Sequence, residues 1–146
     1  MPEPLIYEHR LTVAEEHLDP LGHVNNLVYL EWVLDIAVAH WMHAAPEELR
    51  RDLLWVVRRH EDDYKASALL GEQLLLRTWI EQASRLTFQR RTQVIRAGDE
   101  RVLVRALTTW CPIDVNSRKL RPVSDAVRRC FFAERSEAEA PDQAET

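Results

Sequence analysis

Asp19-Pro20-Leu21-Gly22-His23-Val24-Asn25-Asn26-Leu27-Val28-Tyr29-Leu30-Glu31-Trp32 is the stretch on which the reading of this chain turns. Asp19-Pro20 and Gly22 punctuate a turn. Asn25 or Asn26 then suits a helix N-cap, because an Asn side-chain oxygen accepts a hydrogen bond from a free N–H of the first turn. From about Asn26 to His43 the spacing predicts that helix, with Leu27, Leu30, Leu34, Ala37 or Val38, and Trp41 on one stripe. Tyr29, Val33 and Ile36 widen the apolar surface well past the stripe, so the helix is expected to be surrounded by protein. Glu31 and Asp35, four apart, repel mildly and should face water or a polar site. Ala45-Pro46 ends the helix.

Outward from this segment the pattern changes to alternation. Residues 6–13 before it read as a strand, with Tyr7, His9, Leu11 and Val13 on one face. After it, residues 53–64, 74–80, 86–96 and 102–113 read as four strands. Ala97-Gly98-Asp99-Glu100 makes a hairpin turn between the last two, and Asn116-Ser117-Arg118-Lys119 makes another turn. A short helix is expected at about Asp125–Phe132, capped by Ser124. One long apolar helix and about five strands joined by short connections satisfy the layer rule for an α+β domain. An antiparallel sheet curled around a single helix would explain a helix that is apolar on most sides.

The bulk composition excludes several classes. The chain has 146 residues, 46% hydrophobic and 29% charged, with five Trp, which fits one domain with a substantial core. Net charge is −5, and residues 134–146 carry five acids against Arg135, which leaves about −1 for the rest. Residues 1–133 are therefore expected to form one domain without the basic excess of a nucleic-acid binder. Residues 134–146 lack apolar side chains to bury and are expected to form an acidic, disordered tail. Cys111 and Cys130 make neither a disulfide framework nor a metal set, and His40, His43 and His60 have no ligand-spaced company. No basic start precedes an apolar run, and Glu31 and Asp35 interrupt residues 27–42. The expectation is a cytoplasmic protein without membrane, metal or organic cofactor.

The loop before the helix carries the chemistry. A helix start has unsatisfied N–H groups and a partial positive charge, and such a place can stabilise negative charge developing on a carbonyl oxygen. A nearby carboxylate such as Asp19 can activate water or attack the carbonyl carbon.

Asp-x-x-Gly-His-Val-Asn-Asn-x-x-Tyr-Leu, here residues 19–30, resembles the loop–helix signature of hot-dog-fold thioesterases, in the broad 4-hydroxybenzoyl-CoA and acyl-ACP thioesterase superfamily. Trp55 to Tyr64, followed by Gly71-Glu72-Gln73-Leu74, is similar to the family's second strand and the turn after it. The resemblance covers roughly residues 5–132. It implies a hot-dog fold, a curved antiparallel sheet of about five strands wrapped around one long central helix. It implies hydrolysis of acyl-thioesters, acyl-CoA first and acyl-ACP second. Asp19 would be nucleophile or general base, the Asn26 backbone N–H would polarise the thioester carbonyl, and His23 matches a His used by acyl-ACP thioesterases. Gly22 would let the substrate approach closely, while Tyr29 and Tyr64 would contact the acyl side. Basic residues would meet the CoA phosphates at the surface, and position alone nominates Arg85, Arg90 and Arg91 for that role. Homodimers, or tetramers of them, place the acyl site at a subunit boundary.

Two departures bear on the mechanism. Leu21 stands where the plant acyl-ACP enzymes have Asn, and Lys65-Ala66-Ser67-Ala68 offers no Cys or acid after Tyr64. Both favour one Asp with backbone donors. Each residue also has a plainer reading: Asp19-Pro20 as an ordinary turn, His23 as a loop brace, and Tyr29 and Trp32 as core or interface. The rival functions are a hot-dog dehydratase or hydratase, and an acyl-CoA-binding module without turnover. The His-x-x-x-x-x-Pro-Gly loop of the former is missing.

Overall fold

The computed structural model describes residues 2–133; the tail expected at 134–146 lies outside them. The described chain runs β1 (Glu3–Pro4), β2 (Tyr7–Thr12), a 3-10 turn (Glu15–His17), α1 (Asn26–Ala44) and α2 (Glu47–Arg50). It continues through β3 (Leu53–Tyr64), β4 (Gln73–Ala83), β5 (Phe88–Arg96), β6 (Arg101–Asp114), α3 (Asp125–Arg129) and β7 (Phe132–Ala133). The five long strands form one antiparallel sheet in the order β2-β4-β5-β6-β3, with α1 laid against β4 and β2. This is the hot-dog arrangement expected from the sequence. β1 and β7 pair as a separate two-stranded ribbon. Among the described residues no helix is long and apolar enough to cross a membrane.

Alternation places the sheet's inner face. Leu74, Leu76, Thr78 and Ile80 on β4 are buried, as are Phe88, Arg90, Thr92 and Val94 on β5. Register shifts interrupt the ladder after Ile80 on β4 and after Val57 on β3. Such bulges bend a strand and increase its twist, which helps a sheet curl over a helix. The core divides along α1. One cluster gathers Tyr29, Trp32 and Ile36 with Val24, Leu74 and Val104. The other brings Trp41 to Trp55, Phe88, Trp110 and Phe131.

The buried face of α1 corrects the expected stripe. Tyr29, Trp32, Val33, Ile36, Ala37 and His40 face the sheet. Leu27 is 68% and Val38 55% exposed, and Leu30 and Leu34 are only half-buried. A helix apolar on most sides gives no single preferred direction, so periodicity alone could not choose its inner face. In the single chain α1 is also not surrounded: the outward strip that includes Leu27, Val38 and Met42 is uncovered.

Candidate active site

The loop entering α1 is held by backbone bonds at both margins. The Asn25 N–H donates to the His17 carbonyl at 3.0 Å, and the Val24 N–H to the Ala68 carbonyl at 3.1 Å. Between these ties the chain doubles back, with the Asp19 N–H donating to the His23 carbonyl at 2.8 Å and the Gly22 N–H to the Asp19 carbonyl at 3.0 Å. Gly22 has φ +81°, in the left-handed region that a side chain resists. A Cβ there would meet nothing within 4 Å, so the glycine answers the turn rather than a crowded neighbour.

The Asp19 carboxylate braces this turn with one oxygen. Its Oδ1 accepts from the Leu21 N–H at 2.9 Å and the His23 N–H at 3.2 Å. Its Oδ2 has no protein donor among the described residues, and the side chain is half-buried, so that oxygen is available to a substrate or water. Asp19 thus combines the turn role and an open acceptor. The His23 imidazole is exposed and has no hydrogen-bond partner among the described residues.

Asn25 is the N-cap. Its Oδ1 accepts from the Leu27 N–H at 2.9 Å, and its carbonyl accepts from the Val28 N–H at 2.9 Å and the Tyr29 N–H at 3.4 Å. The intervening Asn26 N–H is left without a protein acceptor among the described residues. It therefore adds a free donor to the positive end of a 19-residue helix.

The other candidates separate. Tyr29 is 2% exposed, and its hydroxyl accepts from the Ala68 N–H at 2.8 Å. It is a core residue that fixes the strand-side margin of the loop, which corrects the expected substrate contact. Burial, ahead of Glu72, pushes its phenol pKa up against the lowering pull of the Ala68 N–H. Tyr64 lies 5.9 Å from the Tyr29 ring and is partly exposed. Arg85 is exposed beside the start of β5. Arg91, on the outer face of β5, pairs with Glu81 at 3.2 Å. Arg90 corrects the expectation most sharply. It is 4% exposed on the inner face and cannot meet a phosphate at the surface.

Two clusters were not foreseen. On β3, His60 bonds Thr108 Oγ1 through Nδ1 at 2.8 Å and Asp62 through Nε2, and the Tyr64 hydroxyl donates to Asp62 Oδ2 at 3.0 Å. Burial, then the hydrogen bond to Asp62 and its charge, push the Tyr64 pKa up to about 12. The alternation of His60, Asp62 and Tyr64 along one strand face was the available signal. The second cluster lies under the C-terminal half of α1. Arg90 Nη1 donates to His40 Nδ1 at 2.9 Å and to Thr78 Oγ1 at 3.0 Å. Burial, then the Arg90 charge and then His43, push the His40 pKa down to about 3. A neutral imidazole with a bare Nδ1 is the form that can accept from a guanidinium. Periodicity did carry a hint here, since His40 repeats the Tyr29, Val33, Ile36 spacing and Arg90 alternates with Phe88 and Thr92.

Comparison with known proteins gives a consistent picture. A family described as the thioesterase-like superfamily matches residues 13–131, well over half of the chain. A chloroplastic acyl-(acyl-carrier-protein) hydrolase of Cuphea viscosissima is 25% identical over 84 residues, spanning 58% of this chain and 20% of that protein. The aligned part thus spans about a fifth of the length of the curated relatives it matches. A 1,4-dihydroxy-2-naphthoyl-CoA thioesterase from Synechocystis superposes with a TM-score of 0.74 at 20% identity, covering 86% of this chain and 94% of that one. The 12:0-ACP thioesterase of Umbellularia californica superposes with a TM-score of 0.75 at 17% identity, over 92% of this chain and 54% of that one. At such identities the superpositions speak for the fold.

Proposed function

From the premise that the chain belongs to the thioesterase-like superfamily, we propose that it hydrolyses acyl-thioesters, acyl-CoA first among them, with Asp19 as the reacting carboxylate. What supports this reading is that one loop, tied at both margins, carries a half-buried Asp19 with one oxygen and an Asn26 N–H that have no protein partner among the described residues. In the general-base route, Asp19 Oδ2 takes a proton from water as the oxygen adds to the thioester carbon. The Asn26 N–H receives the oxyanion, the C–S bond breaks, and the thiolate leaves with the proton. In the nucleophilic route, the carboxylate itself displaces the thiol and water hydrolyses the mixed anhydride. His23 is the second exposed group at the turn able to move a proton. The donor at Asn26 is backbone, so its side chain is dispensable to the chemistry. Arg85 and Arg91 are the remaining arginines suited to a CoA phosphate.

The same reading calls for a second copy of the chain. β3 is a 12-residue strand at the sheet edge, and Leu54, Val56 and Val57 on it are exposed. An uncovered edge of that length and polarity invites pairing with another strand. Two β3 edges joined antiparallel about a twofold axis would continue the sheet. They would also bring the uncovered strips of two α1 helices side by side in opposite directions.

Asp19→Asn tests the mechanism, because the amide keeps an oxygen for the Leu21 and His23 N–H groups while losing the charge. Thiol release from acyl-CoA should fall by about 10²–10⁴-fold with an unchanged melting profile. Turnover at the wild-type rate by the folded variant would remove Asp19 from the chemistry.

A further inference from the structure

Beneath the C-terminal half of α1 lies an apolar cavity of about 160 Å³, walled by Trp41, Trp55, Phe88, Trp110 and Phe131, with Arg90 among the wall residues and Val38 and Leu54 at the exposed rim. Its polar groups are donors in excess. Among the described residues Arg90 has no carboxylate within ion-pair distance, unlike Arg59, Arg77, Arg91, Arg96 and Arg121. Its two hydrogen bonds go to the neutral acceptors His40 and Thr78, both from Nη1, and its guanidinium carbon sits 5.7 Å from the centre of the Phe131 ring. Among the described residues the indole Nε1 atoms of Trp55 and Trp110 are buried without an acceptor. A buried cation without a counter-charge is costly, and a buried donor left unpaired is too. A guanidinium with spare N–H groups on the wall of this cavity, and no anion among the wall residues, leaves a place for a ligand that supplies the missing counter-charge.

We infer that this cavity receives the distal end of the acyl group, and that Arg90 selects acyl chains ending in a carboxylate. The inference rests on the hydrolytic reading above for the word acyl, and on the cavity alone for the carboxylate. Size limits the class: a cavity of about 150 Å³ accommodates benzene. About six or seven heavy atoms of the acyl terminus therefore fit inside it. Charge selects within that limit. A guanidinium recognises a carboxylate through directed, charge-assisted bonds, whereas a methyl terminus would leave the Arg90 charge without a counter-ion. Reach fits the two-copy arrangement. Fifteen residues separate Asn26 from Trp41, roughly 22 Å at 1.5 Å per residue, which is too far for a short acyl group within one chain. Oppositely directed α1 helices would set this cavity beside the Asp19 loop of the second copy, across the rim formed by Val38 and Leu54.

The test compares matched ligands on the full chain. With adipoyl-CoA against hexanoyl-CoA, kcat/KM should favour the carboxylate-ended substrate by about tenfold or more, the size of a charged hydrogen bond. In parallel, tryptophan fluorescence should report tighter binding of N-methyl adipamate than of N-methylhexanamide, a measurement that needs no turnover. Arg90→Met should abolish both preferences. Arg90→Lys, which keeps a cation and loses the planar guanidinium fork, should narrow them even if Arg90→Met does not fold. Equal or reversed preference in the wild-type protein overturns the inference while leaving hydrolysis intact. A binding preference without hydrolysis of either thioester overturns the hydrolytic reading and keeps the carboxylate site.

Discussion

At its N-terminal end α1 begins in a polar turn where one carboxylate oxygen and one backbone N–H are free of protein partners among the described residues. At its C-terminal end it covers a cleft of aromatic rings around a buried guanidinium. The first end is assembled from eight consecutive residues, Asp19 to Asn26. The second draws on α1, β3, β4, β5, β6 and the segment after α3. Bond-making chemistry needs groups that water and substrate can reach, so a short loop suffices. Discrimination among acyl groups needs enclosed volume and desolvated donors, which only several packed elements supply. The two ends of one helix therefore divide the proposed labour, and each can be perturbed while the other is left in place.

The strongest perturbation belongs to the loop. Asp19→Asn should remove nearly all turnover, whereas Asn26→Ala should change it by less than about tenfold, because the proposed donor at that position is backbone. Comparing the two variants in one thiol-release assay separates a carboxylate mechanism from a general disturbance of the loop. Breaking the seam between copies comes next. Val56→Lys sets a charge on the exposed edge strand, and should yield a monomer by sedimentation with thiol release reduced at least tenfold. A monomer that kept full activity would confine the chemistry to one chain.

The cavity end should show itself through acid. Because His40 is held at about 3 in the folded protein against 6.5 in the unfolded chain, the unfolded state binds the extra proton between those values. The contribution is fully present above about pH 6.5 and is lost progressively as pH falls towards 3, on the order of a few kcal/mol. Urea midpoints measured across that range should fall accordingly. His40→Gln, which retains an acceptor for Arg90, should flatten the curve; an unchanged slope would place the acid sensitivity elsewhere. The smallest effect lies between the two ends. Tyr29→Phe leaves the buried Ala68 N–H unpaired and should destabilise the fold by about 1–3 kcal/mol in equilibrium unfolding.

Much of the scaffold was legible before any coordinates. The four strands after the helix fall within a few residues of their expected bounds, because alternation on a half-buried sheet leaves a period of two in the sequence. Asn25 at the helix start and Ser124 before α3 act as caps, each accepting from a first-turn N–H. The inner face of α1 was misread because Leu27, Leu30 and Leu34 are as apolar as Tyr29, Val33 and Ile36. Arg90 was misplaced because arginine is rarely buried without a partner, and nothing near it in sequence announces one.

By itself the sequence determined the order of the long elements and the loop that holds Asp19 before a capped helix. Caps, turns and alternation are interactions between residues a few positions apart, and their signals survive in a one-dimensional reading. Only the tertiary structure decided which side of α1 meets the sheet and what surrounds Arg90. His40 and Thr78 lie 50 and 12 residues from that arginine in sequence. Their meeting is a consequence of helix packing and strand register, quantities that no local pattern encodes.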